Sequence, residues 1–211
     1  MTAIDTNTTG LLSGNESFSL NGENMGFNVL DFWRFQYSNL ADLEGRVGEF
    51  LVAMALGKES GDNNNGWTLW DINYKGKRVE VKTTSYYKTW REEGTYSKVR
   101  TFSIQQTYPN EDGNPNIYSD NKEKVKVRNN DLYVFVINIG KTKDEANPLN
   151  LNNWRFYVIS TDRINTECGS NKTISLHKVQ KISDHSDGLM FDELKTKVDQ
   201  IIVELNNTDK H

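Results

Sequence analysis

The chain has one cysteine, Cys168, in 211 residues. No intramolecular disulfide can form, and a reducing cytoplasm is the expected setting. No apolar run approaches the roughly 20 residues a membrane span needs, so no membrane association is expected. The opening residues are polar, with an acid at Asp5, and lack the basic start and apolar stretch of a signal peptide. Histidine is scarce. His177 and His185 have no partner at metal-ligand spacing, and with one cysteine a zinc centre is not expected. Cys168 has no neighbouring base in sequence that would make it a catalytic thiol. Net positive charge is lacking too: the formal charge is −4, which argues against a general nucleic-acid-coating protein. Gly57-Lys58-Glu59-Ser60 has no glycine-rich phosphate loop around it, so nothing supports ATP dependence. Internal repeats are absent, and no second domain stands out as a specificity module.

What remains is a hydrophilic globular composition, 36% apolar and 26% charged. Five Trp, nine Tyr and nine Phe, spread along the chain, argue against disorder. The length suits one ordinary domain with a real core. The acidic balance is broken locally. Residues 75–100 hold eight basic side chains against three acids, and residues 122–128 add Lys122, Lys124, Lys126 and Arg128 against Glu123. A basic zone in an acidic protein suits phosphate contact at one place; a solvated charged loop would look the same.

Residues 1–26 are rich in Asn, Thr, Ser and Gly and read as a mobile tail, leaving 27–211 as a single domain. Val29 to Tyr37 reads as a short, heavily buried helix. Leu40 to Leu56 is the clearest helix, with Leu43, Val47, Phe50, Leu51, Met54 and Ala55 at three- and four-residue steps. Trp67–Tyr74 and Lys77–Thr84 read as antiparallel strands joined at Lys75-Gly76. Val99–Gln105 reads as a third strand, followed by a polar loop over 107–122. Asp131–Ile139 is nearly continuously apolar and reads as a central strand. Trp154–Ser160 is another strand, Thr161 caps a short helix, Ile174–Leu176 is a small edge strand, and Leu189–Leu205 is a terminal amphipathic helix. The order predicts an α/β or α+β fold: a mixed β-sheet flanked by helices.

Asp71 to Lys82 reads D-I-N-Y-K-G-K-R-V-E-V-K. Alternation along a strand sends Glu80 and Lys82 to one face, with Val79 and Val81 turned to the core. Charged groups are costly to desolvate without partners, so the pair needs a reason. Metal-assisted phosphodiester cleavage supplies one. Mg²⁺ takes oxygen ligands, and the Asp71 and Glu80 carboxylates with the Val81 backbone carbonyl would provide them. Such an ion polarises a phosphate oxygen and acidifies a bound water. Lys82 then either positions that water or stabilises charge developing on the phosphate. A further acid, Glu49, lies in G-R-V-G-E on the preceding helix, where Gly45 and Gly48 suggest a face in close approach. Glu44 is its rival. Five residues put the two about 140° apart around a helix, so both are not expected at one metal.

D…E-x-K after a helix bearing G-x-x-G-E resembles the PD-(D/E)xK nuclease superfamily, over about Leu40 to Ser160. Phrases such as D-F-W-R-F (Asp31–Phe35), E-V-K-T-T-S-Y (Glu80–Tyr86), D-L-Y-V-F (Asp131–Phe135) and W-R-F-Y-V-I (Trp154–Ile159) resemble a group of small bacterial proteins with this core. Trp70, rather than proline, precedes Asp71. The resemblance implies a restriction-endonuclease-like core and Mg²⁺-dependent (or Mn²⁺-dependent) cleavage of DNA by Glu49, Asp71, Glu80 and Lys82. Restriction or defence against foreign DNA is the implied setting, with repair or recombination next. A homodimer and a partner protein supplying specificity are the expected associations. The alternatives are a non-catalytic binding or scaffold subunit of a larger complex, and an RNA-directed nuclease. Basic and aromatic neighbours are the candidates for nucleic-acid contact: Lys88, Trp90, Arg91, Lys98, Arg100, Gln105, Lys124 and Lys126. Tyr86, Tyr87 and Trp90 suit base stacking and core packing equally.

Overall fold

Tight turns ending in glycine organise both compact units of the chain. The computed structural model describes residues 12–37, 44–58, 69–87, 100–108 and 125–208. These fall into a unit within Met1–Leu43 and a unit within Glu44–His211.

In the first unit, β1 (Ser17–Leu20) and β2 (Glu23–Asn28) form an antiparallel hairpin. Asn21 and Gly22 between them have φ of 53° and 84°, the two positive values a type I′ turn requires. The Phe18 and Phe27 ring centroids lie 5.1 Å apart across the hairpin. Of residues 1–26, read from the sequence as a mobile tail or loosely attached arm, residues 1–11 lie outside the described residues, and from Ser17 onward the Asn-Gly turn and the alternating apolar residues make a hairpin despite the polar composition. The boundary between units also falls after Leu43 rather than after Gly26. Next comes α1 (Val29–Tyr37). Asn28 Oδ1 accepts from the Asp31 N–H and Asp31 Oδ2 from the Asn28 N–H, both at 3.0 Å, a reciprocal cap. No residue of α1 is buried, where the sequence predicts a heavily buried helix. Its apolar residues spread over most of the helix circumference, and so small a unit has too little chain to enclose them.

The second unit runs α2 (Glu44–Ala55), β3 (Ile72–Tyr74), β4 (Lys77–Ser85), β5 (Thr101–Ser103), β6 (Leu132–Asn138), β7 (Trp154–Ser160), α3 (Thr161–Cys168), β8 (Thr173–Ser175), α4 (Leu176–Ile182) and α5 (Phe191–Thr208). Its sheet has the order β3-β4-β6-β7. β3 and β4 are antiparallel, β4 and β6 parallel, β6 and β7 antiparallel. The fold is therefore mixed α+β with a mixed sheet flanked by helices, as the order of elements predicts. β6 is buried throughout, and its alternation divides the core in two. Leu132, Val134 and Val136 join Val79 and Val81 of β4 beneath α2 and α5. Tyr133, Phe135 and Ile137 pack on the other face with α3, α4, Phe102 of β5 and Ile174 of β8. β5 and β8 pair as a separate small antiparallel sheet.

Several boundaries differ from the sequence reading. The cap of α3 is Ser160, whose hydroxyl accepts from the Arg163 N–H at 3.2 Å. Thr161 is instead buried and accepts from Asn130 Nδ2. The strand near Ile174 ends at Ser175, which caps α4 through the Lys178 N–H. That helix has only seven residues, too short for its Leu176-Val179-Ile182 spacing to stand out as a period. Leu189 precedes α5 and exchanges backbone bonds of 3.0 and 2.8 Å with Phe156 along β7. Among the described residues no helix is long and apolar enough to cross a membrane.

Candidate active site

The site lies where β3 parts from β4. Lys75 and Gly76, with φ of 50° and 75°, close the hairpin, and pairing extends only from Tyr74↔Lys77 to Ile72↔Val79. Beyond it, the Asp71 side chain takes the place of a strand: its Oδ2 accepts from the Val81 N–H at 2.6 Å. A residue's N–H and C=O leave a strand on the same side, so the Val81 carbonyl faces this edge too. Val79 and Val81 are buried, and Glu80 and Lys82 occupy the opposite face, in register with Tyr133 and Phe135. Lys82 Nζ donates to Glu80 Oε1.

Helix α2 supplies Glu49, and one glycine sets its distance. A Cβ on Gly48 would stand 2.0 Å from Thr83 Oγ1, so the helix backbone rests directly on β4. Gly45 has nothing within 4 Å and is exposed; of the two glycines only Gly48 marks the close approach. The structure also separates the two candidate glutamates. Glu44 Oε2 accepts from Ser85 Oγ at 3.1 Å, at the far end of β4. Glu49 lies within the field of Asp71 and accepts from Arg46 Nη1 at 2.9 Å.

The four predicted residues form one electrostatic unit. Burial, then the Asp71 and Glu49 charges, push the Glu80 carboxyl up to about 7 against the pull of Lys82. Burial raises Asp71, partly offset by the Val81 N–H, Lys82 and Arg46. Burial and Asp71 raise Glu49. Burial opposes the Lys82 ammonium, but Glu80, Asp71 and Glu49 outweigh it and raise its pKa. Three carboxylates thus crowd one lysine, an environment short of positive charge. Among the described residues no three His, Cys, Asp or Glu side chains converge as a ready metal cage. The donors that could hold a divalent cation are the Asp71 and Glu80 carboxylates and the Val81 carbonyl, with Glu49 beside them. All are oxygen, and two carboxylates with water suffice for Mg²⁺.

The surrounding basic residues behave differently from a free phosphate-binding stripe. Lys75 pairs with Asp199 at 2.8 Å and Arg78 with Asp131 at 3.0 Å. Arg128 is buried and donates to the carbonyls of Ile104, Gly169 and Asn171 and to Asn165 Oδ1. Arg100 is buried with its guanidinium 3.5 Å from the Tyr86 ring centroid, and Tyr86 packs against the core, so for Tyr86 packing is the role the structure displays. Gln105 is exposed; Lys126 is exposed with its ammonium 5.0 Å from the Tyr108 ring. Lys88, Trp90, Arg91, Lys98 and Lys124 lie outside the described residues. Cys168 is buried, which pushes its thiol up, away from nucleophilic use. Sequence reasoning passed over Arg46, although its place one turn before Glu49 is the spacing of a helical ion pair. Compared against family models, curated proteins and solved structures, the chain matches none.

Proposed function

We propose that this chain is a divalent-cation-dependent nuclease of the PD-(D/E)xK type with a restriction-endonuclease-like core, hydrolysing DNA phosphodiester bonds. The observation that carries the reading is the placement of Asp71 on the Val81 N–H at the open edge of β4, beside the Glu80–Lys82 pair on the same strand. The succession of helix, antiparallel hairpin, parallel strand and antiparallel strand supports it. A bound Mg²⁺ or Mn²⁺ would neutralise carboxylate charge and supply an acidified water. Asp71 and Glu80, with the Val81 carbonyl, would hold such an ion, and Glu49 would add a carboxylate from α2. Lys82, kept protonated by three acids, orients the attacking water or stabilises charge on the phosphate. Restriction or defence against foreign DNA is the setting the family resemblance suggests. A homodimer would let one small domain cut two strands.

A second reading has one observation in its favour. Each carboxylate already has a protein partner: Lys82 for Glu80, the Val81 N–H for Asp71, Arg46 for Glu49. A scaffold subunit that binds no metal would look like this. Mn²⁺ titration separates the two. The nuclease binds Mn²⁺ and loses it in Asp71→Ala; absence of binding by the wild type overturns the nuclease reading. Offering DNA and RNA in parallel then identifies the polymer.

A further inference from the structure

Arg46 precedes Glu49 by one turn of α2, and its Nη1 donates to Glu49 Oε2 at 2.9 Å. That contact uses one of the five N–H donors of a guanidinium, and the Arg46 side chain is 66% exposed. Its charge reaches past Glu49 and favours the ionised form of Asp71 as well. Lys82, the other cation of the cluster, is half as exposed and is held by Glu80. The acid cluster therefore has beside it a guanidinium that is largely exposed to solvent and bonded to Glu49 through one nitrogen. Three carboxylates repel a polyanion, so a strand approaching them needs an accessible cation at the mouth of the site. A guanidinium is the group suited to bidentate contact with phosphate oxygens.

We infer that Arg46 is a phosphate-binding residue of this site, holding a backbone phosphate of the strand while its Nη1 stays on Glu49. The inference rests on the nuclease reading and adds the residue that delivers the substrate to it. It differs from an ordinary surface ion pair between positions three apart on a helix, which would leave nucleic-acid binding untouched.

The test measures binding of a fluorescently labelled DNA duplex across a salt series, in a Lys82→Ala background with Mg²⁺ so that the probe stays intact. Adding Arg46→Gln should weaken binding about tenfold or more and flatten the slope of log affinity against log salt by about 0.9. Arg46→Lys keeps the charge, so the slope is retained while affinity falls. Mn²⁺ affinity is followed in parallel: a residue that only orients Glu49 would move Mn²⁺ affinity and leave the salt slope alone. An unchanged slope in Arg46→Gln, with DNA still bound by the background protein, overturns the inference and leaves the nuclease reading standing. No binding of DNA or RNA by the background protein overturns both.

Discussion

At the scale of the residue, function and stability pull against each other in the acid cluster. Burial and Asp71 both disfavour charge on Glu80, whose carboxyl sits at about 7 rather than 4.5. Above that value the ionised side chain is an energetic cost in the metal-free protein. Glu80→Gln should therefore raise metal-free stability at pH 8 by on the order of 1–3 kcal/mol while abolishing cleavage. A chemical melt in the presence of a chelator checks this, and a fall in stability would show that the Glu80–Lys82 pair outweighs the crowding. Much at this scale was legible in the sequence. The alternation of Val79, Glu80, Val81 and Lys82 is a rule of strand geometry, and the order of charged and apolar faces follows from it. The choice between Glu44 and Glu49 was not legible, because 140° of helix rotation says the two differ without saying which faces Asp71. Arg100 and Arg128 misled for a related reason: composition counts charge and cannot see that a tyrosine ring covers the Arg100 guanidinium while four oxygen partners hold that of Arg128 inside.

At the scale of the element, the placement of α2 depends on its contact with β4. Gly48→Ala would bring a methyl group into Thr83 Oγ1, a buried hydroxyl with no hydrogen-bond partner. The expected cost is about 1–3 kcal/mol. Thr83→Ala alone should cost little, and the double variant should recover part of the loss, because the Thr83 Cβ that remains still lies 2.9 Å from the added methyl. Additive effects in this cycle would mean that the two positions do not press on each other. The starts of β4 and β6 are tied differently. Asp131 accepts from the Arg78 backbone N–H at 2.7 Å and from its guanidinium at 3.1 and 3.0 Å. Burial alone would raise the Asp131 carboxyl, but these bonds outweigh it and hold it below its ordinary value. A depressed carboxyl contributes stability above its unfolded-state pKa and loses it as pH falls through the folded value. Asp131→Asn should thus be less stable than wild type at pH 6, by about 1–2 kcal/mol. The two should converge near pH 2, as thermal melts across that range would reveal; a constant gap would assign the effect to packing instead. Long elements such as β6 and α5 announce themselves by burial pattern. The seven-residue α4 and the exact cap of α3 do not, because one turn of helix carries too few positions to define a period.

At the scale of the whole molecule, both hydrophobic clusters among the described residues draw only on positions between Val47 and Leu205. The core thus belongs entirely to the unit within Glu44–His211. A chain beginning at Glu44 should fold cooperatively, with a melting temperature within a few degrees of the full protein, and should keep its Mn²⁺ affinity. Loss of cooperative melting would show that the first 43 residues complete the core. The two-unit division was hidden in the sequence by the polar composition of residues 1–26, although Asn21-Gly22 held the hairpin signal. The mixed sheet with helices on both faces was legible, since a central apolar run bracketed by amphipathic segments has few other solutions. We propose that the edge of β4 cuts phosphodiester bonds, and the first experiment is cleavage of supercoiled plasmid with Mg²⁺ or Mn²⁺ by wild type and by Lys82→Ala. Nicked or linear product is expected from the wild type and at least about a hundredfold less from the variant, with Mn²⁺ still bound. Equal cutting by both, or none by a wild type that binds no metal, would contradict it.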